Sequence, residues 1–351
     1  MTAYRSGVSA DDFHPETRAF FAAKTVVVTG GAGFIGSHVV EQLLALGARP
    51  VVPTRRKAPR FLAHLGDAVE RRQCDLTDRG AAKDAFEGAS IILDLAATVG
   101  GIEYNINHPA SVFQANMQPF LNTISLAAEM SVERMLVTSS ACVYPRHCSI
   151  PTPEEEGTLD EPEPTNAGYG WSKRMEEFLA RAYAQEYGLS VAVARPYNAF
   201  GPRDDFAPAT SHVLAALIHK AFRTEDGALP VWGDGSVTRS FLYVDDFARG
   251  LIEIAARHPS AEALNVGGDD EVSIGEAAHA VARIVSELRG RPIAPKFEPT
   301  DMAGQPRRKC DTTKLKQRLG FVPAVDLETG LRRTIEWFAE HENHAVHPDP
   351  Q

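Results

Sequence analysis

Tyr169 and Lys173 stand four residues apart in Gly168-Tyr169-Gly170-Trp171-Ser172-Lys173, downstream of the loop Ser139-Ser140-Ala141-Cys142. That separation puts both side chains on one face of a helix. There an ammonium can stabilise phenolate and draw the tyrosine pKa of about 10 towards neutrality. A tyrosine tuned in this way exchanges a proton with a sugar hydroxyl while a hydride moves to or from the same carbon.

Such groups need a scaffold that brings them together. Thr25–Thr29 is a β-branched run, followed by Gly30-Gly31-Ala32-Gly33-Phe34-Ile35-Gly36 and a helical pattern over Ser37–Leu46. The order is strand, tight turn, helix. Further short strands are expected at Pro50–Thr54, Ala68–Cys74, Ser90–Leu95, Met135–Ser139 and Ser190–Arg195, with helices at Arg79–Phe86, Pro109–Met130 and Tyr169–Tyr187. The alternation predicts an α/β fold, a doubly wound parallel Rossmann sheet. After Tyr197 the regularity weakens, with a helix around Ser211–Phe222 and a strand-helix unit at Ser240–Arg257. A smaller α/β substrate-binding lobe is therefore expected over the carboxyl edge of the sheet, where such folds bind ligands.

The expected division is an N-terminal extension at 1–23, with one short helix around Pro15–Ala23 and no legible role. Residues 24–196 plus about 240–270 form the dinucleotide-binding domain, and 197–239 plus about 271–340 the smaller lobe. A frayed tail at 341–351 completes the chain.

The glycine turn carries the cofactor expectation. Glycines at 30, 33 and 36 permit the tight turn and close backbone approach to a pyrophosphate, and the helix amino terminus at Phe34 and Ile35 attracts the anion. Thr54 stands where an NAD-binding unit would place a carboxylate against the ribose diol, and Arg55 and Arg56 follow it. Arginines hold a 2′-phosphate by charge-assisted bonds, which favours NADP(H) and leaves NAD(H) open. Asp75 and Leu76 are expected to edge the adenine pocket, and Leu95-Ala96-Ala97 to lie against the cofactor.

A net charge of −10 excludes broad nucleic-acid binding, which needs an excess of Lys and Arg. No apolar run reaches the roughly 18 residues of a membrane-spanning helix, and the first 23 residues lack the order of a signal peptide. Four scattered cysteines suit reduced thiols in the cytoplasm rather than a disulfide framework. No metal site is expected.

Ser140, Tyr169 and Lys173 together resemble the catalytic trio of the extended short-chain dehydrogenase/reductases, nucleotide-sugar epimerases among them. Gly30–Gly36, Leu95-Ala96-Ala97 and Tyr197-Asn198-Ala199-Phe200-Gly201-Pro202 match that family in order and spacing. The resemblance spans Thr25 to about Phe338. It implies cofactor contacts from Tyr169, Lys173, Pro196 and Asn198, substrate contacts from Ser140 and Asn198, and a homodimer built on the helices Pro109–Met130 and Tyr169–Tyr187.

Val99-Gly100-Gly101-Ile102, Ser140-Ala141-Cys142-Val143-Tyr144-Pro145, Phe206–Val213 and Gln305-Pro306-Arg307-Arg308-Lys309 resemble the GDP-fucose synthases. The resemblance implies that Cys142 and His212 move protons at C3 and C5 of a 4-keto sugar. A thiol with pKa near 8.5 needs only a small shift to act as base, and imidazole near 6.5 supplies the complementary proton. Arg239 and Arg307 or Arg308 match positions that clasp a substrate pyrophosphate, and Trp232 is placed near the nucleotide. The implied activity is NADP(H)-dependent epimerisation and C4 reduction of a nucleotide sugar, with GDP as the nucleotide. Ser139–Cys142 and Trp232-Gly233-Asp234-Gly235 equally resemble the redox-neutral GDP-mannose 3,5-epimerases, so that reading stays open, as do a UDP-sugar 4-epimerase and a dinucleotide-sensing regulatory protein.

Overall fold

The computed structural model describes residues 5–56, 60–208, 210–299 and 305–345. Lys57, Ala209 and the last six residues of the expected tail lie outside them. Six strands run in chain order: β1 (Thr25–Thr29), β2 (Arg49–Thr54), β3 (Glu70–Gln73), β4 (Ile91–Asp94), β5 (Arg134–Thr138) and β6 (Val191–Pro196). With a seventh strand, Ala263–Val266, they form one parallel sheet in the order Ala263–Val266, β6, β5, β4, β1, β2, β3. The order reverses between β1 and β4, the crevice where such sheets take their ligands. Thr29 pairs in register with Asp94, Asp94 with Val137, and Thr138 with Ala194. The strand ends that carry the site are thus aligned along one edge.

Strands buried on both faces read as near-continuous apolar runs, as in Val26-Val27-Val28 and Ile91-Ile92-Leu93. One face packs against the helices Phe34–Ala45 and Val244–Arg257, the other against Pro109–Glu129 and Ala167–Tyr187. A second apolar core gathers the helices Val213–Arg223, Ile274–Arg289 and Leu327–Ala345 around the paired strands Ala228–Trp232 and Ala294–Glu298. Between the two cores, three two-residue strands lie side by side in the order Val272–Ser273, Thr238–Arg239, Arg307–Arg308. Leu327–Ala345 is helical through Ala345, so its last turn occupies the first residues of the stretch expected to fray. No helix among the described residues is long and apolar enough to cross a membrane.

The start of the chain is built into this scaffold. Phe13 and Phe21, flanking and ending the helix Pro15–Phe21, are buried in the first core, each worth about 1.5–3 kcal/mol of apolar burial. Thr17 donates its hydroxyl to Glu253 at 2.6 Å, and the His14 amide reaches the same carboxylate at 2.8 Å. The Gly7 amide meets Asp245 at 3.1 Å, and the Ser6 amide meets Glu41 at 2.7 Å. The extension therefore bridges the glycine-turn helix and the Val244–Arg257 helix.

Candidate active site

The glycine turn closes on the end of β4. Gly30 has φ of +66°, and a Cβ there would lie 2.7 Å from the Leu95 carbonyl oxygen; one on Gly36 would lie 2.2 Å from the Gly30 oxygen. Only glycine fits either place. The helix Phe34–Ala45 starts at Gly33 with no side-chain cap, and amides at a helix start that lack a capping side chain suit an anion. Thr29 accepts the amides of Leu95 and Ala96, each at 3.1 Å, and donates to Asp94. Leu95 and Ala96 are half-buried at this edge and Ala97 is exposed.

At the far corner Thr54 is buried and its hydroxyl accepts the Arg56 amide at 3.1 Å. Arg55 is exposed beyond it. Asp75 is held below the usual carboxylate range by hydrogen bonds from Thr77 and by the charge of Arg55. The end of β2 itself carries the guanidinium of Arg55, with the Asp75 carboxylate within reach of its charge. The turn, the uncapped helix and this corner fit a phosphorylated dinucleotide.

Ser140, Tyr169 and Lys173, the trio expected to be catalytic, gather beside the turn. Ser140 caps a short helical turn at Ala141–Val143, accepting the Cys142 amide at 3.1 Å, and its hydroxyl lies close enough to Tyr169 to favour the phenolate. Gly170 lets this turn seat against the helix Ala167–Tyr187: a Cβ would stand 2.5 Å from the Cys142 carbonyl oxygen. The close approach explains why Tyr169 sits between glycines, since a Cβ on Gly168 would strike the Pro109 carbonyl at 2.3 Å. Lys173 is buried, donating to the Thr138 carbonyl at 3.0 Å and to Glu176 at 2.8 Å, with its ammonium 5.7 Å from the Tyr169 ring centre.

One expectation is corrected here. Tyr169 is not drawn towards neutrality but pushed up to about 12, because burial outweighs the attraction of Lys173. The ammonium is occupied by Glu176, which itself raises Tyr169, as does Cys142. Burial disfavours the Lys173 charge, yet Glu176 and Tyr169 hold its pKa above the ordinary value. At neutral pH the couple is phenol and ammonium, so the proton a reduction needs is in place, while burial makes it harder to give.

The substrate side is built from the smaller lobe. Pro196 ends β6, and the Asn198 amide donates to Ser240 at 2.8 Å, tying the chain after β6 to the Thr238–Arg239 strand. Register then separates the two candidate arginines. Arg308 pairs with Arg239 and Arg307 with Thr238. Arg307 turns outward into a two-pronged ion pair with Glu271, at 2.8 and 2.7 Å. Arg308 lies beside Arg239 and donates to the Ala141 carbonyl at 3.3 Å, touching the turn that follows Ser140. Arg239 donates to the carbonyls of Gln305 and Thr238, at 2.8 and 2.7 Å. Burial and the like charge of Arg308 bring its pKa down to about 10. Among the described residues neither guanidinium has a carboxylate within ion-pair distance. Two adjacent cations in that condition make a seat for a multiply charged anion.

Trp232 stands 63% exposed, its ring covered on one side by the Lys220 ammonium at 4.5 Å. His212 precedes the helix Val213–Arg223 as its cap residue. It keeps an accessible surface, while desolvation lowers its imidazole pKa against the opposing pull of Asp205. Cys142 is thus beside Tyr169, whereas His212 stands before the helix Val213–Arg223, where the charge of Asp205 acts on it.

Sequence reasoning missed Glu176 and Asp94, both buried around Lys173. Glu176 is three residues after Lys173, a spacing that on most helices marks a solvent-facing ion pair. Asp94 ends an apolar strand, and a carboxylate there was the available signal. Arg308 could not be separated from Arg307 without the strand register.

Residues 26–267 match the NAD dependent epimerase/dehydratase family. The dTDP-4-dehydro-6-deoxy-D-allose reductase of Streptomyces bikiniensis is 33% identical, over 92% of this chain and 98% of that one. The GDP-L-fucose synthase of Escherichia coli is 32% identical, over 91% and 97%. A GDP-L-fucose synthetase from Naegleria fowleri, solved bound to NADP, superposes with a TM-score of 0.77 at 26% identity, over 92% of this chain and 95% of that one. With the glycine turn, the Ser140–Tyr169–Lys173 trio and relatives above 30% identity along nearly the whole length, the chain belongs to the NAD dependent epimerase/dehydratase family.

Proposed function

We propose that the protein reduces the C4 ketone of a nucleotide-linked 4-keto-hexose, GDP-linked in the first instance, after inverting the carbons beside it. The observation that carries this reading is Arg308 reaching the Ala141 carbonyl in the turn beside Tyr169, with Arg239 paired next to it and, among the described residues, no carboxylate within ion-pair distance of either guanidinium. Gly30, Gly33, Gly36 and the helix amides at Phe34 and Ile35 would hold the pyrophosphate of NADP(H), Arg55 its 2′-phosphate, and Lys173 its nicotinamide ribose. Bound there, NADPH supplies a hydride to the carbonyl carbon.

The chain's own groups do the rest. Tyr169 gives its proton to the carbonyl oxygen, and Ser140 orients that oxygen. A C4 ketone acidifies the protons at C3 and C5, so Cys142 as base and His212 as acid can invert each centre from opposite faces. Arg239 and Arg308 hold the substrate diphosphate, and the open Trp232 ring offers a platform for the base. One relative, at 33% identity, is named as a reductase of a dTDP-linked 4-dehydro-6-deoxy sugar, which favours net reduction over the redox-neutral cycle.

The residues 24–196 with about 240–270 serve as the dinucleotide-binding domain, and the remainder to about 340 as the sugar-nucleotide lobe. A homodimer through the helices Pro109–Glu129 and Ala167–Tyr187 is part of the same reading. Leu121, Trp171, Phe178 and Tyr187 on those helices are large apolar groups left exposed, as a self-complementary surface would leave them.

The test offers GDP-4-keto-6-deoxymannose and, separately, dTDP-4-keto-6-deoxyglucose with NADPH in deuterated water. Oxidation of NADPH with deuterium entering C3 and C5 is the expected result. Oxidation without exchange would reduce the assignment to a simple C4 reductase, and no oxidation with either sugar would overturn it.

A further inference from the structure

We propose that Glu176, together with Asp94, holds a single proton beneath Lys173 and serves as positioning residue and proton reserve for the Tyr169–Lys173 couple. The inference deepens the reading above and rests on Tyr169 being the proton donor. Lys173, Glu176 and Asp94 are 3%, 2% and 5% exposed. Glu176 binds the Lys173 ammonium at 2.8 Å, and Asp94 faces both from the end of β4.

The surrounding charges are accounted for. Glu177, next on the helix, is neutralised by Arg195 from β6 in two hydrogen bonds of 2.7 Å. Cys142 faces Tyr169 from the short turn, and Thr29 from β1 donates to Asp94. Among the described residues, one cation is thus left for two enclosed carboxyls. With both ionised, an uncompensated negative charge would remain away from water, which costs several kcal/mol. One retained proton makes the group neutral. Burial and the neighbouring Asp94 raise Glu176 to about 8, although Lys173 opposes them; burial raises Asp94 against Thr29 and Lys173.

The placement has a chemical use. When Tyr169 gives its proton to a substrate oxygen, the phenolate is refilled from the Lys173 ammonium. The Glu176 carboxyl then returns a proton to Lys173 through the contact they already share, and solvent later restores the carboxyl. Each step moves one proton between named atoms and changes no other bond. Through Thr29 the cluster is joined to the Leu95 and Ala96 amides at the edge of the cofactor cradle.

Calorimetry of coenzyme binding tests this without turnover. NADP+ and NADPH carry the same phosphates, but the oxidised ring adds a positive charge beside the cluster, which favours ionised carboxyls. At neutral pH, in two buffers of different ionisation heat, NADP+ should release about one proton more than NADPH. Glu176→Gln should abolish the difference and Asp94→Asn should reduce it, the second variant serving if the first fails to fold. An equal release for both coenzymes in the unmodified protein, or an undiminished difference in Glu176→Gln, overturns the proposal. Failure of the reductase reading would show separately, as no oxidation of NADPH by either keto sugar while the proton release persists.

Discussion

Arg195 and Glu177 face each other in two parallel hydrogen bonds of 2.7 Å inside the protein, pinning the catalytic helix to β6. Arg195 also donates to the Glu154 carbonyl at 2.6 Å and to the Tyr144 hydroxyl at 3.2 Å, so it anchors the Pro151–Pro164 segment as well. Removing one partner strands the other charge in the interior, at a cost of about 3–5 kcal/mol. Arg195→Ala should therefore lower the denaturant midpoint markedly. A midpoint within error of the parent would show that the pair contributes nothing.

The two arginines at 307 and 308 should separate in binding experiments. Arg308→Ala and Arg239→Ala each remove a charge-assisted contact to the diphosphate, worth about 1.5–3 kcal/mol, or roughly tenfold or more in nucleotide-sugar affinity. Arg307→Ala breaks only an exposed pair with Glu271, and should leave affinity nearly unchanged. Equal losses at 307 and 308 would contradict the register argument.

Coenzyme preference rests on the corner after β2. NADPH should bind more tightly than NADH, and Arg55→Ala should narrow the gap by roughly tenfold. Fluorescence titration of both reduced coenzymes measures this directly, and equal affinities in the parent would remove the role of Arg55.

Tyr169→Phe should abolish turnover while leaving coenzyme binding close to normal, since only the proton-giving oxygen is lost. Cys142→Ser should suppress deuterium entry at C3 and C5 yet permit direct reduction, because a serine hydroxyl is a far weaker base than a thiolate. Full exchange in the serine variant would exclude Cys142 as the base.

Asp204 gives a pH signature in stability. Burial and the neighbouring Asp205 raise its carboxyl to about 8, against a hydrogen bond from the Asp205 amide. The folded state thus keeps a proton that the unfolded chain, with an aspartate pKa of about 3.9, gives up at lower pH. This contribution is fully present below the unfolded value and is lost as pH rises towards 8, by at most about 1.4 kcal/mol per pH unit. Asp204→Asn should flatten that part of the stability profile between pH 4 and 8; a profile parallel to the parent's would refute it.

How much of this was legible varied with the range of the interaction. The strand-turn-helix at Thr25–Ala45 was readable because β-branched residues, glycines and helical spacing are all local signals. The Ala263–Val266 strand was not, since Asn265 interrupts a four-residue run; its side chain is buried, accepting from Tyr144 at 2.6 Å and donating to the Thr152 carbonyl at 3.0 Å. The Tyr169–Lys173 spacing announced the couple, but not its charge state. That depends on Glu176, whose burial only the packing of the sheet edge reveals. Cys142 and His212 are expectations from motif alone; the fold puts the first in the turn Ala141–Val143 and the second at the start of the helix Val213–Arg223.

The opening of the chain carries a consequence for assembly. Gly7, His14 and Thr17 find their partners in Asp245 and Glu253, 236 to 239 residues further along. During synthesis this segment is therefore made well before the helix that completes it. Contacts of such span form late and slowly. Until then Phe13 and Phe21 have no finished place to go, and nascent or clipped chains would display them as an adhesive patch for chaperones or for one another.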